Sequence, residues 1–226
     1  MELSAEQSIA DAMKRTIRLF EESGAEIVEI SLPTVTRYAT ACYYAIVTSE
    51  AYTNLARFDG VRCGYAAEAA GLRGMFEAVR SEGFCGDAKT RIIMGTYLTE
   101  PGRYEEYYQA ATRVRTLIAD EFYKAFDSGK IDCILQPVAG SLPRKIGEPD
   151  INAMNGHELD IYLLPANLAG LPGFSFPAGH AEDAEESGLP VGLQIIGPRW
   201  SDGELLDIGF ELEKISGAQK TAVLER

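Results

Sequence analysis

Residues 163–173 read LLPANLAGLPG, and residues 174–179 continue FSFPAG. Two Gly and two Pro in eleven positions break any long helix, while the Leu and Ala residues between them are too apolar for an exposed loop. The stretch predicts a short helix over 159–168, closed by Gly170 as its C-terminal cap, then a buried turn leading into a strand over 174–177. A second apolar run, VGLQIIG at 191–197, predicts another strand of the same sheet. The acidic AEDAEESG at 181–188 reads as an exposed hairpin joining the two, so they can pair antiparallel.

Working outward, DCILQ at 132–136 predicts a buried strand stopped by Pro137. Before it lie stretches of helical periodicity at 36–56, 71–82, 87–97 and 104–127, and a turn at 57–64 marked by Asp59-Gly60. The pattern at 36–56 places Tyr38, Cys42, Ala45, Ile46 and Ser49 on one face. The longest pattern puts Tyr108, Ala111, Val114, Arg115, Ile118, Phe122 and Phe126 in register. At the start of the chain, Ser4 and Gln7 form a capping-box pattern for a helix to about Ser23, ended by Gly24. EIVEIS at 26–31 alternates like a half-buried strand, and Glu204 to Ser216 closes the chain as an amphipathic helix. Residues 137–158 carry Pro137, Gly140, Pro143, Gly147, Pro149 and Gly156 and read as a long irregular segment. The order predicts an α/β fold: a mixed central β-sheet covered by helices, with few strands for so many helices.

Composition narrows the classes. The chain has 226 residues, 46% hydrophobic, with a formal net charge of -13, which suits a globular protein and disfavours nucleic-acid binding through its own surface. Four Cys at long, irregular spacing, each with apolar neighbours, predict reduced core thiols. No apolar run approaches a membrane span and the N-terminus is not a signal peptide, so a soluble cytoplasmic protein is expected.

The common catalytic signatures GxSxG, GxxxxGK[ST], GxGxxG and HExxH do not occur. His157 and His180 are expected in polar loops. Ser141 and Lys145 are the one Ser-Lys pair in the irregular segment, with nothing marking an oxyanion hole beside them. Arg91 in TRIIMGTY and Asp160 in HELDIYLLPAN each place a charge against an apolar run. A guanidinium matches a carboxylate bidentately and a carboxylate matches an ammonium, so such a pair could hold a free amino acid by its backbone groups; the competing reading is a solvated end or a structural ion pair.

Four stretches together resemble the amidase signature family: SEAYTNLARFDGVRCG (49–64), SEGF (81–84), RIIMGTY (91–97), and LLPANLAGLPGFSFPAG (163–179) with GLPVGLQIIGP (188–198). Within it, RFDGVRCG and YYQAATRVRTLI (107–118) are similar to the A-type subunit of the glutamyl-tRNA(Gln)/aspartyl-tRNA(Asn) amidotransferases. The resemblance runs from about residue 7 to 216 and is to the C-terminal half of that polypeptide, so residues 1–226 read as the C-terminal portion of an amidase-signature domain. The family's Ser nucleophile, cis-Ser and Lys lie in the N-terminal half and have no counterpart here. The resemblance implies that Arg91 holds the glutamine α-carboxylate, Asp160 its α-amino group, and that Tyr43 lines the same pocket. It also implies that NLAGLPG is a buried helix end and turn near the site, with Asn167 capping groups left unpaired there. As partners it implies glutamine, the B- and C-type subunits, the N-terminal half of the A-type subunit, and misacylated tRNA through a partner; no cofactor is expected in this chain, ATP and Mg being used by the partner subunit. Cys63 departs from the family's usual Tyr, Tyr52 from a small residue, and QPVAG (136–140) from a Pro-Thr-Ala-Pro run. Two rivals stand beside this reading: a different amidase of the same superfamily, and a non-catalytic interaction module keeping the fold.

Overall fold

The computed structural model describes residues 5–143, 145–147, 161–181 and 188–216. The chain divides into two compact units, Met1–Thr40 with Thr116–Arg226, and Ala41–Arg115.

The first unit is built on an antiparallel sheet of β1 (Ile134–Pro137), β2 (Gly173–His180) and β3 (Pro190–Ile196) in the order β1-β3-β2. The α/β class holds, while the parallel strand of a mixed sheet is not among the described residues. As the middle strand, β3 is covered on both faces, and this is why its sequence is a nearly continuous apolar run rather than an alternation. Leu193, Ile195 and Ile196 have no exposed surface. β2 is an edge strand and does alternate, with Phe176 buried between exposed Ser175 and Pro177. Its register slips between Pro177 and His180, where the missing proline N–H interrupts the ladder.

Phe176, Leu193 and Ile195 form one core cluster with Leu205 and Leu212 of α7 (Asp202–Ser216), to which α1 (Gln7–Glu22) adds Met13 and Phe20. α7 presses close to β2 because Gly209 carries no side chain: a Cβ there would lie 2.6 Å from Phe174 Cδ1. Ile9 and Ala12 of α1 join Val191 and Leu142 in a second cluster. The start of α1 differs from the expected capping box. The helix begins at Gln7 with Glu6 as cap, and Ser4 lies outside the described residues. Glu6 instead clasps the segment after β1, its N–H donating to the Gly140 carbonyl and its carboxylate accepting from Leu142 N–H at 2.8 Å. Gly24, at φ +93, does end the helix. Residues 26–31 are not a strand; Ile27 and Val28 are 43% and 46% exposed, because alternation alone cannot make a strand where no neighbour supplies the ladder.

α2 (Pro33–Leu55) starts with Pro at its first position, where the missing N–H costs nothing. The next N–H groups, of Thr34 and Val35, donate to the Glu121 carboxylate on α5 (Ala110–Asp127) at 2.9 to 3.2 Å. A carboxylate on a helix N-terminus satisfies two orphan donors and complements the helix dipole. Glu121→Ala is expected to lower stability by about 1–2 kcal/mol, read as a shift of the urea midpoint with unchanged slope; a midpoint within error of wild type would show that water replaces the cap.

The second unit holds the end of α2, α3 (Gly71–Gly83), α4 (Gly86–Leu98) and a π-helical turn, Glu105–Gln109, leading into α5. All four helical stretches expected between 36 and 127 are present. The π-turn is not among the elements expected from the sequence. On α2 the buried face is Val35, Ala39, Cys42, Ile46, Thr48 and Ser49, while Tyr38 is 43% exposed. Two cysteines also depart from expectation: Cys42 is buried, with its thiol donating to the Ala111 carbonyl and pushed up to about 11 by burial, but Cys63 and Cys85 are exposed. All four cysteines are free.

Candidate functional site

Arg91 sits in the middle of α4, a helix whose first turn carries Asp87. Four residues separate them, so both lie on one helix face, and Arg91 Nε donates to Asp87 Oδ2 at 2.9 Å. The Arg91 side chain is 31% exposed and that of Asp87 72%. The hydrogen bond to Asp87 raises the Arg91 pKa above its ordinary value, with Tyr43 and Tyr44 close enough to contribute in the same direction. These two tyrosines come from α2 and meet edge to face at 5.3 Å between ring centroids. Tyr43 and Tyr44 thus lie within electrostatic range of Arg91, whose hydrogen-bond partner among the described residues is Asp87. The i,i+4 spacing of Asp87 and Arg91 is visible in the sequence and is the signal that could have marked Asp87.

α4 reaches this position through a close helix contact. A Cβ on Gly95 would collide with the Thr48 carbonyl of α2 and stand 2.5 Å from Tyr52 Cβ. Only a residue without a side chain lets the two backbones approach this far.

Asp160 lies outside the described residues, as does His157. The stretch beside Asp160 is described from Ile161 on. α6 (Leu164–Ala169) is shorter than expected and ends in Gly170 at φ 66, ψ 47, the left-handed cap read from the sequence. Tyr162 offers its carbonyl to two amide side chains, Gln194 Nε2 at 3.0 Å and Gln136 Nε2, which ties this segment to β1 and β3. The turn is less enclosed than the sequence suggested: Leu164, Pro165, Leu168 and Ala169 are buried, but Asn167 and Gly170 are exposed. Asn167 donates back to the Leu163 carbonyl at 2.9 Å rather than capping the turn, whose own amides close it, Leu171 N–H bonding to Ala166.

The remaining candidates do not assemble. No hydrogen bond joins Ser141 to Lys145 among the described residues, and His180 is an exposed residue at the end of β2 rather than in a loop. Among the described residues no three His, Cys, Asp or Glu side chains gather to hold a metal, and no helix is long and apolar enough to cross a membrane. A cavity of about 270 Å³ in the second unit is lined by Phe58, Gly64, Tyr65, Val79, Gly83 and Phe84, none of them a predicted site residue. Its loop is built by Asp59, which accepts from the N–H groups of Val61 and Arg62 at 2.9 Å. Those bonds, Arg62 first, hold the Asp59 carboxyl down at about 2. A depressed folded-state pKa contributes order above the ordinary carboxylate value and loses it as pH falls through the folded value. The amide signals of Val61 and Arg62 are thus expected to hold down to about pH 4 and move between pH 4 and 2, and Asp59→Asn to abolish that transition; amides insensitive to this window would reject the assignment.

Helices over a small sheet in this arrangement form the α/β fold of the amidase signature enzymes. The chain belongs to the Amidase family, whose profile matches residues 2–206. It is 42% identical over 210 residues to the A-type subunit of glutamyl-tRNA(Gln) amidotransferase from Caldanaerobacter subterraneus subsp. tengcongensis, covering 92% of this chain and 41% of that protein. The corresponding protein of Akkermansia muciniphila is 44% identical over 209 residues, 91% of this chain and 43% of the relative. The crystal structure of the A-type subunit of glutamyl-tRNA(Gln) amidotransferase from Thermotoga maritima superposes with a TM-score of 0.67 at 31% identity, covering 93% of this chain and 39% of that one. A bacterial aryl acylamidase of the amidase signature enzymes, at 20% identity and TM-score 0.66, shares the fold. The chain spans about two-fifths of the length of the curated relatives it matches.

Proposed function

We propose that this chain is the glutamine-anchoring part of a glutaminase subunit in a tRNA-dependent amidotransferase. Arg91 takes the α-carboxylate of glutamine, Tyr43 lines the pocket, and Asp160 takes the α-ammonium. The nucleophile comes from the portion of the polypeptide that this chain does not span. Glutamine and water yield glutamate and ammonia there, and the ammonia replaces the activated oxygen on Glu-tRNA(Gln) or Asp-tRNA(Asn) held by a B-type subunit, with a C-type subunit in the same complex. ATP and Mg serve the activation on that partner, and the assembly works in the cytoplasm.

The observation that carries this reading is Arg91: a partly buried guanidinium beside Tyr43, in a chain whose relatives are named as amidotransferase subunits. The test is a glutaminase assay with and without the polypeptide that supplies the rest of the amidase domain. The chain alone is expected to release no ammonia from glutamine, and the combined chains to do so and to co-elute as one complex. Ammonia release by the chain alone, well above a buffer blank, would return attention to Ser141 and Lys145.

A further inference from the structure

Resting on the glutamine reading above, we infer that Asp87 is the positioning residue for Arg91, holding the guanidinium by Nε so that its Nη1/Nη2 end faces the substrate carboxylate. An arginine offers a carboxylate two edges, one along Nε and one across the two Nη groups. Here the Nε edge is taken by Asp87 Oδ2 at 2.9 Å, and among the described residues no hydrogen bond engages Nη1 or Nη2. The end of the fork is therefore the edge left for a ligand. A free arginine side chain loses rotamer entropy when a ligand fixes it. A bond already made to the same helix removes part of that cost before binding.

Stability does not account for the pair. With Asp87 72% exposed, solvent screens the contact, and exposed ion pairs contribute little. Electrostatics supplies an opposing effect: the Asp87 carboxylate also neutralises Arg91 and repels an incoming carboxylate. The two effects predict opposite signs. If neutralisation dominated, Asp87→Asn would tighten glutamine binding; if positioning dominates, the same change weakens it. Asp87 bonds the guanidinium at Nε and is 72% exposed, so water screens its repulsion while its bond is retained.

The experiment uses the assembled enzyme and steady-state glutaminase kinetics. Asp87→Asn is expected to raise KM for glutamine about 3- to 10-fold and to leave kcat, thermal midpoint and ammonia-dependent amidation near wild type. Asp87→Glu, which still reaches Arg91 at i,i+4, should restore KM. In an Arg91→Ala background Asp87→Asn should add nothing, because its effect runs through Arg91. An unchanged or lowered KM overturns the inference, as does an equal loss in the Arg91→Ala background. Wild-type KM in Arg91→Ala itself removes the glutamine reading at that residue, and the inference with it, a pattern distinct from failure of Asp87 alone.

Discussion

Arg91→Ala and Arg91→Lys are both expected to cut kcat/KM for glutamine in the assembled enzyme by on the order of 2–5 kcal/mol, or roughly 30- to 4,000-fold. The two should be nearly equal. A lysine keeps the charge but has no planar fork, so it offers a point contact where the guanidinium offers two parallel bonds. It would also leave Asp87 without its Nε partner. Asp160→Asn keeps shape and loses charge, and should cost a similar amount. Amidation driven by supplied ammonia should survive in all three variants, because that route bypasses glutamine. A kcat/KM for glutamine that stays at wild type in Arg91→Lys and Asp160→Asn would return both charges to the reading of ordinary surface ion pairs.

Gly95→Ala should destabilise the fold, against the sign that helix propensity alone predicts. Replacing a mid-helix glycine by alanine gains up to about 1 kcal/mol in propensity. At this position the new Cβ meets the Thr48 carbonyl and Tyr52 Cβ, backbone and side-chain root that cannot swing away. Overpacking of this kind costs about 1–3 kcal/mol, so the clash wins, and Gly95→Val should cost more. Denaturant midpoints of the two variants measure it, and a stabilised Gly95→Ala would show that the helices separate without penalty. Because α4 also carries Arg91, the same substitution should raise KM for glutamine even where the fold survives.

The site is legible in part, and for identifiable reasons. Arg91 stands out as a charge against an apolar helical run, and the resemblance sets Tyr43 in the same pocket; Tyr43 and Tyr44 lie within electrostatic range of Arg91. Asp87 stands out less, because an acidic residue in a first helical turn is ordinary; its i,i+4 spacing from Arg91 is the sequence signal, and the bond to Nε shows the pair formed. Cys63 and Cys85 are exposed against expectation because neighbouring apolar residues say what a segment contains, not which side faces water. The 26–31 segment fails for a related reason: alternation describes a strand's faces, whereas a strand exists only when another backbone completes its hydrogen bonds.

By itself the sequence determined the elements with strong local causes. The helical periods read at 71–82, 87–97 and 104–127 correspond to α3, α4 and α5, the last of which buries Ala111, Ile118, Phe122 and Phe126 at the 3.6-residue repeat, and Gly24 and Gly170 end their helices because they alone tolerate the backbone there. The continuous apolar run of β3 announced a strand of the sheet in the same way, and its middle place came from the structure. What only the tertiary structure decided are contacts between distant residues. Glu121 caps a helix 87 positions away, Glu6 clasps the chain beyond β1, and Gln136 and Gln194 converge on the Tyr162 carbonyl. Each of these depends on where two elements meet in space, and a polar side chain's partner is set by that meeting rather than by its neighbours in sequence.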